Sequence, residues 1–330
     1  MTRKALLVIG SRTRENGYGI TSGLRVAEAL RRRGWQADTI QATDSRLLLQ
    51  LLLHGSFDVV VPVGFGAPCE DGHVFAAARL AGIPCAGPTP AAGSIMLDKS
   101  MTSRLVDALF APSSGVRSPS GRTLAKGQST ANIELLIRQL TPPLVVKPNF
   151  SGSSDGLYVA STYVEALAAV CGMLAYEGRV CVQTLEHPVA HEVSCTVLDA
   201  PDGPLFLPIV ELRRDDVHVL GAAEKFGSEG LNRHIIPARL RTETVAKLKH
   251  VVLTLHEEIG ATGLTRTDVL VLPDDTLVVL EINGIPGLLE SSIACDAAHA
   301  AGICFDELCI KYAESAYLPR AEPRIWEGLP

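Results

Sequence analysis

Residues 265–292, TRTDVLVLPDDTLVVLEINGIPGLLESS, have the pattern of two apolar strands joined by a Pro-Asp-Asp turn, with polar side chains inside the strands. Because strand side chains alternate between faces, Arg266 and Asp268 share one face of the first strand. Glu281 and Asn283 share one face of the second strand for the same reason. Two carboxylates and a carboxamide are hard oxygen ligands, which suit Mg²⁺ held against the phosphates of a nucleotide. The stretch therefore predicts a magnesium site on a hairpin and implies ATP; the alternative is a surface hairpin with solvated acids.

The composition indicates a globular protein of two or three domains. The chain has 330 residues, of which 47% are apolar and 20% charged, and its net charge of −6 gives no basic surface for a nucleic acid. The first apolar run, residues 5–9, is too short for a signal sequence or a membrane span. The eight cysteines form no CxxC pair, which favours reduced core residues. These features predict a cytoplasmic protein with neither a nucleic-acid nor a membrane partner.

The N-terminal part of the chain alternates between strand and helix patterns. Apolar runs predict strands at 5–10, 36–40 and 58–63, and 3.6-residue periodicity predicts helices at 22–33 and 47–53. This alternation predicts a doubly wound α/β domain over residues 1–90. The glycines at 17–23 and 64–66 suggest a dinucleotide loop, but neither group shows GxGxxG between a strand and a helix, nor GxxxxGK[ST]. A Rossmann dehydrogenase is therefore disfavoured.

A second domain is predicted over residues 91–184, after the proline-rich linker IPCAGPTP at 83–90. A predicted helix at 91–110 carries Lys99, and an apolar strand at 143–148 carries Lys147 directly before NFSGSSDG. Backbone N–H groups of a Ser/Gly-rich loop can approach phosphate oxygens, and a lysine beside the loop adds a positive charge. The pattern predicts a phosphate-binding loop. The alternatives are a solvated Lys99 and a plain flexible turn.

The third predicted domain, residues 185–330, contains the hairpin. A strand at 191–197 carries Glu192, whose carboxylate either faces solvent or accepts the hydroxyls of a ribose. The long polar loop at 213–238 carries Lys225 in its middle, and loops of this length are often lids over an active site. A predicted helix at 242–259 leads back to the hairpin, and further helices are predicted over 294–316.

In their order along the chain, these motifs resemble the D-alanine–D-alanine ligase family of the ATP-grasp superfamily. The resemblance extends over residues 5–315 and is carried by MLDK, VVKPNFSGSSDG, TRTDV and LEINGIPG, with TSG and EDG as weaker anchors. It implies an ATP-grasp fold, in which an N-terminal doubly wound α/β domain precedes two α+β domains that hold ATP between them. It also implies a homodimer.

The resemblance implies roles for individual residues. For ATP, it implies contacts from two phosphate lysines, the serine-rich loop, the adenine strand, a ribose carboxylate and a lid lysine: Lys99, Lys147, Ser153, Ser154, Gln183, Thr184, Leu185, Glu192 and Lys225. For two Mg²⁺ ions, with Mn²⁺ as a substitute, it implies Asp268, Glu281 and Asn283. For catalysis, it implies Arg266 at the tetrahedral intermediate, Ser153 near the donor, and Lys225. For the substrates, it implies Glu15, Gly17, Phe226, Gly287 and Ser292.

The departures from the family pattern fall on the donor side. The family's glutamate for the donor ammonium group corresponds to Gly17, with Glu15 two residues away, and its tyrosine after the lid lysine is Phe226. The loop before EDG, VGFGAPC, lacks the family's histidine. The resemblance therefore implies an ATP-dependent, ADP-forming carboxylate–amine ligase that joins two amino acids or amino-acid-like molecules through an acyl phosphate. The altered donor side suggests a donor other than D-alanine and a specialised biosynthetic role.

Three alternatives stay open on the sequence. The acyl phosphate could instead be attacked by a hydroxyl to form an ester, or internally to close a ring. The chain could be an ordinary D-alanine–D-alanine ligase in which Glu15 or another group replaces the missing contacts. It could also be a nucleotide-binding protein without catalysis, but the presence of Arg266, Asp268 and Glu281 together with both phosphate lysines argues against this.

Overall fold

The computed structural model of the chain describes residues 2–11, 16–151, 156–212 and 234–318, and three β-sheets organise this part of it. Several predicted site residues, and almost all of the predicted lid, lie outside the described residues: Glu15, Ser153, Ser154, Lys225 and Phe226. Within the described residues, no helix is long and apolar enough to cross a membrane.

The N-terminal sheet is parallel and has the order β2-β1-β3. The elements are β1 (Lys4–Ile9), α1 (Asn16–Arg32), β2 (Gln36–Gln41), α2 (Ser45–His54), β3 (Val59–Pro62) and α3 (His73–Leu80). The helix α1 lies close against the end of β1, because a Cβ on Gly23 would stand 2.1 Å from the Ile9 side chain and one on Gly19 would stand 2.8 Å from the Gly10 carbonyl oxygen. Only glycine permits this approach. The predicted α/β topology of this part is confirmed.

The second sheet is antiparallel and has the order β5-β8-β6-β7. Its region of the chain contains α4 (Pro90–Leu97), α5 (Lys99–Leu109), β4 (Val116–Arg117), β5 (Gly121–Ala125), α6 (Thr130–Ile137), β6 (Leu144–Pro148), β7 (Tyr158–Ala160), α7 (Tyr163–Leu174) and β8 (Arg179–Thr184). Leu144, Val146 and Val182 pack in one core with α6 and α7. By alternation, Lys147 and Cys181 lie on the opposite face of this sheet.

The third sheet has the order β12-β11-β9-β13-β14-β4, with β10 paired to β9. Its elements are β9 (His191–Ala200), β10 (Gly203–Phe206), β11 (Val210–Leu212), β12 (His234–Ile235), α8 (Thr242–Ile259), β13 (Leu264–Val271) and β14 (Leu277–Asn283), followed by α9 (Ile293–Ala300) and α10 (Phe305–Glu314). Because α8 is amphipathic, Leu248, Val252 and Leu255 pack with the inner side chains of β9 and β13 in one core.

Residues 90–117 depart from the expectation in two ways. The single helix predicted over 91–110 is wrong: the structure has two helices, because Asp98 leaves the helical conformation and its side chain caps α5 through the Ser100 and Met101 N–H groups. In addition, β4 pairs with β14, so this segment joins the third sheet rather than the second. The domain boundaries at residues 90 and 184 stay a prediction.

The C-terminal helices hold the first and third sheets together. Tyr312 is fully buried and donates a hydrogen bond to the Pro62 carbonyl at 2.8 Å. The Leu288 N–H donates to the Ser22 hydroxyl of α1 at 3.2 Å. As a result, the ends of β1 and β3 lie beside the loop that follows β14, and the Phe65 ring comes within 3.8 Å of the position that a Cβ on Gly287 would occupy.

A buried carboxylate on β11 makes stability depend on pH. Glu211 accepts hydrogen bonds from the Arg239 backbone at 2.9 Å and guanidinium at 2.9 and 3.1 Å, and pairs with His191 at 3.1 Å. Burial raises the pKa of Glu211, but these hydrogen bonds outweigh burial and lower the pKa from 4.5 to about 2. The stabilisation is therefore fully present above about pH 4.5 and is lost as the pH falls toward about 2.

We expect the free energy of unfolding of the wild-type protein to fall by about 2 kcal/mol more than that of Glu211→Gln between about pH 6 and about pH 3, because only the wild type takes up this proton on unfolding. Urea titrations of both proteins at the two pH values measure the difference. Equal losses in the two proteins would show that Glu211 does not carry this pH dependence.

Candidate active site

The hairpin of β13 and β14 brings the predicted metal ligands opposite one another. In the antiparallel register, Asp268 pairs with Glu281 and Arg266 pairs with Asn283, and the ladder is irregular just after Asp268. Directly opposite residues on neighbouring strands have side chains on the same face. The predicted convergence of the two carboxylates and the carboxamide on one face is confirmed, and their role as metal ligands stays a prediction.

An arginine balances the charge of the first carboxylate. The Arg266 guanidinium donates to Asp268 through Nε at 2.9 Å and through Nη2 at 2.8 Å. Ser194 on β9 donates a further hydrogen bond to Asp268 Oδ1 at 2.6 Å. Burial lowers the pKa of Arg266, but the nearby charges of Asp268, Glu281 and Glu70 outweigh it and raise the pKa. Arg266 is therefore a fixed cation that faces three acidic side chains.

A lysine balances the charge of the second carboxylate. Lys99, the first residue of α5, is buried, and its Nζ lies 3.3 Å from Glu281 Oε2. The same ammonium group donates to the Ser151 carbonyl at the start of the predicted phosphate loop. A small cleft of about 20 Å³ is lined by Lys99, Glu281 and Asn283, together with Glu70 and Ser151. One predicted phosphate lysine and two predicted metal ligands therefore line a single cleft.

Two further predicted site residues, Lys147 and Glu192, lie on strands of the second and third sheets. Lys147 on β6 is paired in register with Cys181 on β8. Burial raises the pKa of the Cys181 thiol, while the charges of Lys147 and Lys99 oppose that rise, so both lysines lie near this thiol. Glu192 on β9 is buried and lies two residues before Ser194, on the face that carries Asp268. The nucleotide contacts of Lys147 and Glu192 stay a prediction.

In the segment predicted to contact adenine, the backbone N–H groups of two residues already donate hydrogen bonds within the protein. The Thr184 N–H donates to the Ser120 carbonyl at 2.8 Å, and the Leu185 N–H donates to the Pro143 carbonyl at 2.9 Å. Any backbone hydrogen bond between these two residues and adenine therefore requires their carbonyl groups. Gln183 and Thr184 border a larger cavity of about 830 Å³, which α5, β5 and β8 also line. The adenine contacts of Gln183, Thr184 and Leu185 stay a prediction.

Of the predicted substrate residues, the structure describes Gly287 and Ser292, in the loop that follows β14, and Gly17, at the start of α1. A Cβ on Gly287 would stand 3.2 Å from Ser292 Oγ, and this hydroxyl accepts a hydrogen bond from the Leu289 N–H at 3.0 Å. Gly17 lies in the first turn of α1, and a Cβ there would meet nothing within 4 Å. The structure therefore has room for a side chain at Gly17 but supplies none.

Comparison with known proteins identifies the family. A family model described as the D-ala D-ala ligase C-terminus matches residues 118–312, more than half of the chain. The D-alanine–D-alanine ligase of Fervidobacterium nodosum is 30% identical over 306 residues, which cover 92% of this chain and 95% of that protein. This chain belongs to the D-alanine–D-alanine ligase family. The ligase of Moorella thermoacetica is 28% identical over 316 residues, which cover 96% of this chain and 100% of that protein.

Solved structures of the family share the fold. The D-alanine–D-alanine ligase of Bacillus anthracis in complex with ATP gives a TM-score of 0.76 at 20% identity, covering 96% of this chain and 98% of that one. The VanG D-Ala:D-Ser ligase of Enterococcus faecalis gives a TM-score of 0.76 at 21% identity, covering 96% and 100%. The predicted ATP-grasp fold is confirmed. The predicted enzyme class, an ATP-dependent ligase that forms carbon–nitrogen bonds, is confirmed by membership in the ligase family.

Three polar residues beside this D-alanine–D-alanine ligase-like site had no role in the sequence interpretation. Glu70 is buried, accepts a hydrogen bond from the Gly66 N–H at 2.5 Å, and contributes to the raised pKa of Arg266. Asp98 and Asn149 are buried beside the two lysines. Glu70 belongs to EDG, Asp98 to MLDK and Asn149 to KPN. Their positions in these motifs were the sequence signal that could have identified them as site residues.

Proposed function

We propose that this chain joins the carboxylate of one amino acid or amino-acid-like donor to the amine of an amino-acid acceptor, with ATP converted to ADP and phosphate. The observation that carries the proposal is the pair of opposed carboxylates on the hairpin, in which Lys99 pairs with Glu281 and Arg266 pairs with Asp268. A carboxylate is a poor electrophile, so the donor first attacks the γ-phosphorus of ATP and becomes an acyl phosphate. The acceptor amine then attacks the carbonyl carbon and displaces phosphate.

The donor set fits a divalent metal. Two carboxylates and a carboxamide on one strand face match the oxygen ligands of Mg²⁺, which also binds substrate phosphates. In the described residues, no group of three or more His, Cys, Asp or Glu side chains is arranged to hold a metal ion. We assign Asp268, Glu281 and Asn283 as ligands of two Mg²⁺ ions, with Mn²⁺ as a substitute. The bound metal would supply charge neutralisation at the transferring phosphoryl group.

The protein's own cations supply the remaining electrostatics. Lys99 and Lys147 would hold the phosphates, and the hydroxyls of the ribose would meet Glu192. Ser153, Ser154 and Lys225, which lie outside the described residues, would complete the phosphate contacts, with Ser153 also near the donor. Arg266 would stabilise the negative oxygen that forms when the amine attacks the carbonyl carbon, since a fixed cation stabilises charge that develops in the transition state.

The two amino-acid subsites differ in how far they keep the family pattern. Ser292 and the backbone at Gly287 lie together and would receive the acceptor's carboxylate. On the donor side, Gly17 offers no charge for an ammonium group. Glu15 and Phe226 also belong to the donor side. A buried ammonium without a partner costs several kcal/mol, whereas the hydroxyl missing at Phe226 costs about 1 kcal/mol. We therefore propose a donor other than D-alanine, in a specialised biosynthetic pathway.

The test is amino-acid-dependent ADP release. With ATP and Mg²⁺, D-alanine alone should give slow release, and at least one other acid in a panel of D- and L-amino acids and related acids should give a rate about tenfold higher or more. Mass spectrometry of the product distinguishes an amide from an ester or a ring. Efficient D-alanyl-D-alanine formation with no better donor in the panel would show an ordinary D-alanine–D-alanine ligase, and no ADP release with any acid would favour a binding protein.

We further propose a homodimer. The leucine-rich helix α2 buries only Leu48 and Leu52, while Leu49 and Leu53 are 50% and 68% exposed on its outer side. A second copy of the chain could cover this apolar face. Light scattering gives the mass in solution, and a monomer at micromolar concentration would exclude the dimer.

The cytoplasm is the compartment we propose. All eight cysteines are free, and six of them are buried. Free thiols in this number fit a reducing compartment. Fractionation of the source cells, with recovery of the protein outside the cytoplasmic fraction, would contradict this.

A further inference from the structure

A buried polar cluster joins the start of α5 to the ends of β6 and β8. Its members are Asp98, Ser100, Asn149 and Arg179, with the Cys181 thiol at its edge. Asn149 is fully buried, and Asp98 is 6% exposed. A buried carboxylate or carboxamide is costly unless hydrogen bonds satisfy it, so a cluster of this kind has a defined geometry or is strongly destabilising.

Asp98 is saturated with donors. Its Oδ1 accepts hydrogen bonds from Ser100 N at 3.0 Å, Ser100 Oγ at 2.6 Å, Met101 N at 3.1 Å and Asn149 Nδ2 at 2.9 Å. Its Oδ2 accepts one from the Arg179 guanidinium at 3.1 Å. Burial raises the pKa of Asp98, but the hydrogen bonds outweigh it and hold the pKa below its ordinary value. The group is therefore a charged anchor at neutral pH.

Asn149 completes the connection from the other side. Its Oδ1 accepts hydrogen bonds from Ser100 N at 3.1 Å and from the Cys181 thiol at 3.0 Å. Its backbone carbonyl accepts from the Lys99 N–H at 3.3 Å, and its own N–H donates to the Arg179 carbonyl at 3.2 Å. The side chain and the backbone of Asn149 therefore both hold the first residues of α5 against the second sheet.

The two predicted phosphate lysines are the immediate neighbours of this cluster. Lys99 directly follows Asp98 on α5, and Lys147 lies two residues before Asn149 on β6. A lysine side chain is long and flexible, so the place of its ammonium group depends on where its backbone is held. The Asp98–Asn149 hydrogen bond, at 2.9 Å, connects the two lysine-bearing segments, and it spans 51 positions of the sequence.

We propose that Asp98 and Asn149 are positioning residues that fix Lys99 relative to Lys147 and so determine the affinity for the phosphates of ATP. This rests on the proposed nucleotide role of the two lysines. Neither residue needs to touch ATP. A displacement of about 1 Å of a positioned group can cost about 100-fold in rate or affinity, which is enough for a remote anchor to matter.

Asp98 caps α5 and also connects this helix to Asn149 and Arg179, and the variant Asp98→Asn separates these two roles. Asparagine is as good a helix N-cap as aspartate, so the α5 cap is kept. The new amide group cannot accept from both Asn149 Nδ2 and the Arg179 guanidinium, so the connection to β6 and β8 is weakened. The affinity for an ATP analogue with Mg²⁺, measured by calorimetry, should fall about tenfold or more, and the KM for ATP should rise accordingly. Asn149→Asp should do the same, because it places two carboxylates together.

The exchanged pair Asp98→Asn/Asn149→Asp should recover part of the affinity, since the amide and the carboxylate can again hydrogen-bond. Arg179→Gln is the mild variant: the arginine side chain is 49% exposed, so the protein should fold, and the affinity should fall about threefold. Ser129→Ala is the matched control, since it removes the N-cap of α6 behind the same sheet without touching either lysine segment.

Lower affinity in both single variants and in Arg179→Gln, partial recovery in the exchanged pair and wild-type affinity in Ser129→Ala would support the proposal. Unchanged affinity in Asp98→Asn and Arg179→Gln, with loss of thermal stability alone, would overturn it and leave the cluster a structural one. Absence of binding by the wild-type protein and by Ser129→Ala would instead overturn the proposed function, and this inference with it.

Discussion

Replacing Glu281 by Gln should lower the rate of ADP formation about 100-fold or more and leave the protein folded. A loss of about 3 kcal/mol of transition-state stabilisation corresponds to this factor, and removal of one anionic ligand at a phosphoryl-transfer centre is of that size. The substitution keeps the shape of the side chain but removes the charge that faces Lys99 at 3.3 Å. The KM for the acceptor amino acid should change little, because the residues assigned to the acceptor, Gly287 and Ser292, lie in the loop that follows β14.

Asp274→Asn is the control for the Glu281 variant. Asp274 lies at the turn of the same hairpin, is exposed, and accepts a hydrogen bond from the Thr276 N–H of that turn at 3.0 Å. The turn variant should keep the wild-type rate. Near-normal turnover of Glu281→Gln at ordinary Mg²⁺ concentrations would refute the assignment of Glu281 as a metal ligand.

Arg266→Lys should lower kcat about 100-fold although it keeps the positive charge. The arginine binds Asp268 through two parallel hydrogen bonds at 2.9 and 2.8 Å, and a lysine ammonium group cannot reproduce this planar geometry. The change therefore misplaces both the cation and the carboxylate it orients. Because the effect falls on a transition-state interaction, kcat and kcat/KM should fall together, as steady-state kinetics with saturating ATP will measure.

Arg32→Lys is the matched control for Arg266→Lys. Arg32 on α1 binds Asp306 on α10 through Nε at 3.0 Å and Nη2 at 2.5 Å, in the same two-pronged geometry but on the protein surface. Exposed ion pairs contribute little, so this variant should retain full activity. A wild-type rate in Arg266→Lys would show that the guanidinium geometry is not used in catalysis.

The parts of the site that follow from local pattern could be predicted from the sequence. The alternation of polar and apolar residues in 265–283 fixes which side chains share a strand face, so the cross-strand pairing of Asp268 with Glu281 could be expected. The helix α8 was predicted with the bounds that the structure has, because 3.6-residue periodicity and the following Gly260 mark it.

The parts that depend on distant contacts could not be predicted. Nothing near Asp98 in the sequence shows that its carboxylate meets Asn149, which is 51 positions away, so the break between α4 and α5 was missed. The pairing of β4 with β14 likewise joins residues separated by much of the chain. The sequence interpretation gave Phe65 no role, because its approach to Gly287 depends on how the first and third sheets pack.

The most direct test of the proposed chemistry follows one oxygen atom. A donor acid that supports ADP release is labelled with ¹⁸O in its carboxylate and incubated with ATP, Mg²⁺ and acceptor. In the proposed reaction, a carboxylate oxygen bonds to the γ-phosphorus as ADP leaves, and that oxygen departs with phosphate when the amine attacks the carbonyl carbon. The account predicts that each released phosphate carries one atom of ¹⁸O and that ADP carries none. Unlabelled phosphate formed together with the ligated product would contradict an acyl phosphate intermediate.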